Sequence, residues 1–323
     1  MSGLVNRRQL VCRGLGLCTT AALAAVGGEV LAQALQTVRP RRFEEDSFIS
    51  QRKRPFAWPG GKTLAVWIVP NVEVFVLNRA GEAPRVQGDN DLLDYTWREY
   101  GMRVGLWRIA DVLQQANIRA TVALNAGTCD VWPKAIEKMD QLGWEMMGHN
   151  VTNSRSLRGL PLDEEQKIIH ATLDIIQQAT GKKVRGWLGT GLAETFNTLD
   201  ILAARGVQYT GDWNNDDVPY ALKVTSGQMY ALNYGNAIND ISFFRQGHTG
   251  EEYYQMVAAQ FDTLYADSQQ FPRVMGIPLH PFHTGQPLRI KYFQKVVQYM
   301  KQHEKVWFAT GGEILDAFLK SQA

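Results

Sequence analysis

From residue 58 onward, short apolar runs alternate with longer stretches whose apolar positions recur every three to four residues. The short runs predict strands at 64–70, 119–124, 144–148, 184–188, 207–211, 241–244, 274–279 and 306–309. The longer stretches predict helices at 103–115, 131–142, 162–180, 194–205, 250–266, 288–303 and 311–320. Asp163, Glu164 and Glu165 put acid into the first turn of the 162–180 helix, where the helix dipole favours it. Gly181 and Gly206 stand where helices stop. Such alternation predicts a parallel sheet with helices outside. About eight strands in roughly 260 residues suit a closed barrel better than an open, doubly wound sheet.

The first 34 residues do not fit this pattern. Arg7-Arg8-Gln9-Leu10-Val11 precedes an apolar stretch that ends near Ala32-Gln33-Ala34, so 1–34 reads as a cleaved export signal. The paired arginines resemble a twin-arginine signal, and the apolar run is too short and too glycine-broken to span a bilayer. Neither Cys12 nor Cys18 sits in a lipobox. The expected location is periplasmic or secreted, with no stable membrane span after cleavage. Cleavage removes three arginines and one glutamate, which takes the formal charge of +2 to zero. A neutral chain implies no nucleic-acid partner. Only Cys129 then remains, so no internal disulfide can form, and it reads as a small apolar residue rather than a nucleophile. Residues 35–58 are basic and contain proline, and they predict an extended lead-in to a catalytic domain at 59–323.

Polar residues cluster just after the predicted strands. They include Asn71 and Glu73, Asn125, His149 and Asn150, Gly189-Thr190-Gly191, Asp212 to Asp217, and His280 to His283. Strand C-termini form the catalytic face of a barrel.

From about Thr63 to the C-terminus, this order resembles the polysaccharide deacetylase family (the NodB-homology domain). The matching motifs are Glu73-Val74, His149-x-x-x-Asn153, Arg185-Gly186-Trp187 and Leu279-His280. The segments Tyr100-Gly-Met-Arg103-Val-Gly105-Leu-Trp107-Arg108, Gly186-Trp187-Leu-Gly-Thr-Gly191 and Asp212-Trp-Asn-Asn-Asp-Asp217-Val-Pro-Tyr220 are most similar to the allantoinase-like branch. The resemblance implies a distorted (β/α)7 barrel. Three positions depart from the family pattern. Glu73 stands where the family has its first Asp, Val74 where it has a ligating Asp, and Asn153 where it has a second ligating His. A zinc site normally keeps three protein ligands, so the departures predict no resident metal. Glu73, His149 and Asn153 are the alternative, weak ligand set for Zn2+ or another divalent ion.

Hydrolysing an amide needs a base for water, a donor for the oxyanion and an acid for the leaving nitrogen. Glu73 is the candidate base, its pKa expected to rise on burial, and His280 the candidate acid. Arg185 or Arg103, with backbone N–H groups of Gly189-Thr190-Gly191, are candidates for charge stabilisation; Arg185 alternatively pairs with Asp212. Asp216 and Asp217 are candidates to orient Arg185 or His280. His149, Asn153, Trp187, Trp213, Asp212 and His283 complete the predicted substrate-binding set. The implied activity is hydrolysis of a carbon–nitrogen bond other than a peptide bond, in a small cyclic amide or ureide. A metal-dependent N-deacetylase of extracellular glycan and a non-catalytic binding protein are the alternatives. An oligomer is compatible with either.

Overall fold

The computed structural model describes residues 42–44, 56–77 and 92–322. The predicted signal and most of the lead-in lie outside the described residues. All the strands and helices below belong to the unit Asp46–Ala323. No described helix is long and apolar enough to cross a membrane.

A curled sheet of mainly parallel strands organises the molecule. In chain order these are β1 (Leu64–Val72), β2 (Thr121–Leu124), β3 (Glu145–Gly148), β4 (Gly186–Trp187), β5 (Tyr209–Thr210), β6 (Tyr220–Leu222), β7 (Met229–Ala231), β8 (Arg273–Leu279) and β9 (Val306–Phe308). The order across the sheet is β6-β7-β5-β4-β3-β2-β1-β8, and β9 also pairs with β1. Only the β6–β7 pair is antiparallel. Besides a short helical turn at Thr128–Val131, the helices are α1 (Leu92–Tyr100), α2 (Leu106–Ala116), α3 (Pro133–Gln141), α4 (Leu162–Thr180), α5 (Thr198–Ala204), α6 (Asp240–Arg245), α7 (Gly250–Ser268), α8 (Pro281–Thr284), α9 (Pro287–Lys301) and α10 (Gly311–Gln322). This is the expected distorted barrel of the (β/α)7 type.

β1 runs two residues past Pro70 and is buried throughout. The Val72 carbonyl points to the β2 side, accepting from Asn125 N–H at 3.0 Å, and alternation turns Pro70 the same way. The ladder with β2 begins only at Asn71, so the missing proline N–H leaves no bond unmade there. The same alternation sends Ala65, Trp67 and Val69 into one core with Met147, Leu188, Tyr209 and Tyr234. Ile314, Leu315 and Phe318 of α10 join that core. Asn71 and Glu73 continue the inward series beyond the apolar part.

Gly181 ends α4 in the left-handed conformation, as predicted, at φ 69°. The predicted strand at 241–244 is instead part of α6, whose N-cap Asn239 accepts from Ile241 N–H. α1, β6 and β7 are additional to the sequence reading. Between α1 and α2, Gly101–Gly105 forms a π-type bulge. It presses on the turn after β8: a Cβ at Gly105 would lie 2.1 Å from the Pro281 carbonyl oxygen.

Gly235 and Gly276 permit a similar close approach between the β7 and β8 segments. Gly235 has φ +87°, and a Cβ there would lie 2.1 Å from the Gly276 carbonyl oxygen. Gly235→Ala is therefore expected to destabilise the fold by about 2 kcal/mol or more. Urea unfolding measures it, and an unchanged midpoint would show that this approach can relax.

Candidate active site

Two asparagines tie the strand ends together before any catalytic group is placed. Asn125, just after β2, accepts from Val74 N–H at 3.0 Å and donates to the His149 carbonyl, so the β1 and β3 ends are held together. Asn71 donates to the Tyr234 hydroxyl at 2.6 Å and to the Leu279 carbonyl at 3.1 Å, which anchors the residue before His280. These amides bridge backbone that no ladder bond reaches.

On this frame Glu73, His149 and His280 converge. Glu73 Oε1 lies 3.5 Å from His149 Nε2 and 4.0 Å from His280 Nε2. All three side chains are buried. Each imidazole is fixed through its other nitrogen. His149 Nδ1 donates to the Leu188 carbonyl at 2.6 Å, since a carbonyl can only accept. His280 Nδ1 donates to Asp240 Oδ1 at 2.7 Å. Asp240 Oδ2 also accepts from His280 N–H at 2.8 Å and from the Thr284 hydroxyl at 2.6 Å. Glu73 Oε2 is buried and has no hydrogen-bond partner among the described residues.

The charges follow from these neighbours. Burial pushes the Glu73 carboxyl up, but the His149 hydrogen bond and the nearby His280 offset this, and the net value falls below the ordinary one. The expected rise is thus reversed, because two imidazoles face the carboxylate. Burial pushes the His280 ring down, yet Asp240 and then Glu73 outweigh it, and the net value rises above 6.5. For Asp240, burial raises the pKa, and the His280 charge and hydrogen bond, with His283 and the Thr284 hydroxyl, together outweigh it, so the net value falls below 3.8. The result is a chain of alternating charge, Asp240–His280–Glu73.

The remaining predicted residues divide into those at this face and those elsewhere. Asn153 N–H donates to the Val74 carbonyl at 2.9 Å, and its Oδ1 is buried without a partner among the described residues. Asp212 accepts the Gly189 N–H through both oxygens, at 2.9 Å each, so that N–H is already committed and is no free oxyanion donor. Asp212 also abuts Glu194, which accepts from Trp213 Nε1 at 2.9 Å. Burial, and then the Asp212 charge, hold Glu194 well above the usual carboxyl range. Trp213 is thus tied to Glu194, which stands beside Asp212.

Arg185 is not at this face. It precedes β4, pairs with Asp316 of α10 and donates to Gln208 Oε1 at 2.6 Å, so its partner is Asp316 and not Asp212. Trp187 is fully buried with its ring over Gly148. Arg103 is exposed on the π-type bulge. Asp216 accepts from Val218 N–H at 3.1 Å, and burial pushes it up to about 6. Asp217 is held by Val274 N–H on its carbonyl at 2.8 Å; its nearest charges are Arg273 and Asp267. Neither aspartate touches Arg185 or His280. His283 packs on Trp97 and Phe282 and takes 3.2 Å contact from Arg289; burial pushes its ring down to about 3. Cys129 is half-buried, and burial pushes its thiol up to about 11, far from nucleophilic.

Two charged residues near these groups were missed. Asp240 directly precedes the segment read as a strand, 241–244, and Arg98 lies in a helix that was not foreseen. The only sequence signal for Asp240 was an acid directly after an N-cap asparagine.

The donor set fits a resident metal poorly. Val74 offers no donor, Asn153 offers a neutral amide, and His280 is held towards its protonated form, which cannot ligate. Among the described residues, no three His, Cys, Asp or Glu side chains group to hold an ion.

A polysaccharide deacetylase family profile matches residues 96–210. A putative polysaccharide deacetylase of Schizosaccharomyces pombe is 26% identical over 240 residues, covering 68% of this chain and 74% of that one. Among solved structures, a probable polysaccharide deacetylase from Pseudomonas aeruginosa PAO1 is similar with TM-score 0.74 and 26% identity, over 81% of this chain and 93% of the other. The Puue allantoinase is similar to the same degree, with TM-score 0.74 and 26% identity over 81% of this chain and 92% of the other.

Proposed function

Because the chain belongs to the polysaccharide deacetylase family, whose members are amidohydrolases of non-peptide carbon–nitrogen bonds, we propose that Glu73 and His280 carry out such a hydrolysis on a small cyclic amide or ureide. One observation supports this above the rest: an ionised, buried carboxylate lies between two anchored imidazoles, with its second oxygen unpartnered among the described residues.

The steps follow from the charges. Glu73 Oε2 takes a proton from water as the water oxygen bonds to the carbonyl carbon. His280, held protonated by Asp240, gives its Nε2 proton to the nitrogen as the carbon–nitrogen bond breaks. The proton on Glu73 then passes to His280, whose Nε2 lies 4.0 Å from the other carboxylate oxygen, Oε1, and both groups are reset. His149 Nε2 lies beside Oε1, at 3.5 Å, and Oε2 has no hydrogen-bond partner among the described residues. No metal ligand is required in this sequence.

The similarity to an allantoinase favours a cyclic ureide. The similarity to polysaccharide deacetylases favours a glycan N-acetyl group as the second reading. A screen of cyclic ureides, cyclic imides and N-acetylated sugars, with and without chelator, separates them. Turnover of the small cyclic substrates is expected, unchanged by EDTA. Stoichiometric zinc in the purified protein, with deacetylation abolished by EDTA, would overturn this reading in favour of the second.

A further inference from the structure

We propose that Arg98 is a specificity-determining residue that anchors a carboxylate carried by the substrate. The inference rests on the placement of the active site argued above. Arg98 projects from α1, and its side chain is only 5% exposed. Its guanidinium carbon lies 4.1 Å from the Phe75 ring centre and 5.2 Å from that of Phe282. Phe75 is two residues past Glu73, and Phe282 two past His280. The cation is therefore set between the two strand ends that carry the base and the acid, close enough for its charge to act on Glu73.

Its own hydrogen bonding is incomplete. Nε donates to Asp94 at 2.5 Å, and the two Nη groups have no hydrogen-bond partner among the described residues. Stacking on aromatic faces satisfies a guanidinium above and below, but not at its edge. The Nη edge is a planar fork of N–H donors, and its complement is a planar oxyanion held by two parallel bonds. A neutral carbonyl would use one of them. The matching ligand is thus a small amide or ureide with a carboxylate near the scissile bond.

N-carbamoylglycine and N-carbamoylglycinamide share a ureido group and differ only in the carboxylate. Their binding to Glu73→Gln protein, measured by titration calorimetry at millimolar concentration, does not depend on turnover. The carboxylate is expected to bind about 10- to 100-fold tighter than the amide. Adding Arg98→Met should abolish that preference with the amide affinity retained. Adding Asp94→Asn, which keeps Arg98 and removes its competing carboxylate, should enlarge it. Equal binding of the two probes, no binding of N-carbamoylglycine, or equal weakening of both by Arg98→Met would overturn the proposal. The hydrolase reading fails separately, if Glu73→Gln protein turns over substrate at the wild-type rate.

Discussion

Glu73→Gln should lower kcat about 10^2- to 10^4-fold on any accepted amide substrate, with folding intact. Glutamine has the size of glutamate but cannot accept a proton. It can still meet His149 Nε2, 3.5 Å from Oε1 in the wild type, so the pocket keeps its shape. The change also removes one of the charges that hold His280 protonated. Glu73→Asp keeps the charge and shortens the reach by one methylene, and should recover part of the loss. Steady-state kinetics alongside a thermal melt checks both. A wild-type kcat in Glu73→Gln, with an unchanged melt, would remove Glu73 from the chemistry.

Asp240→Asn should be costly in two ways. The buried carboxylate accepts three hydrogen bonds, from the His280 ring, the His280 backbone and Thr284. An amide has one acceptor oxygen, so a buried imidazolium loses its counter-charge, at about 3–5 kcal/mol. The rate should fall about 10^2-fold or more, and its pH dependence should move. In the wild type the acid must be protonated, so activity falls as pH rises through the folded pKa of His280, which lies above 6.5. Removing Asp240 removes the largest influence raising that pKa, and the alkaline limb should shift to lower pH.

Stability should follow the same pair. Asp240 has a depressed pKa, so its contribution is present above its ordinary value of 3.8 and lost as pH falls through the folded value. His280 has a raised pKa, so its contribution is full below 6.5 and lost as pH rises through the folded value. The pair thus stabilises most between these limits, and Asp240→Asn should flatten the wild-type profile there. A pH series of urea melts measures this. An alkaline limb that stays in place would show that Asp240 does not set the His280 charge.

The strand ends were the legible part of this site. Glu73, His149 and His280 each follow directly from a buried apolar run, and strand alternation carries the inward series of β1 on to Glu73. The errors have local causes as well. Residues 241–244 form an apolar run too short to distinguish strand from helix by period. The α6 assignment came from the Asn239 cap, and with it came Asp240. Arg185 was placed with the candidate catalytic groups through the family's arginine-containing motif, Arg185-Gly186-Trp187. β4 is only Gly186–Trp187, and Arg185 lies at its start, within reach of α10.

The departures at Val74 and Asn153 were legible only through the family resemblance, whereas the sequence by itself was enough to set the alternation of strands and helices and the polar face at the strand ends. Those features depend on spacings of two or four residues along one segment, where backbone geometry leaves little choice. The tertiary structure decided the charge of each group. Asp240 meets His280 across 40 positions, and Asn71 and Asn125 bridge separate strand ends. A pKa depends on which charges lie within a few ångströms after folding, and no local period carries that information.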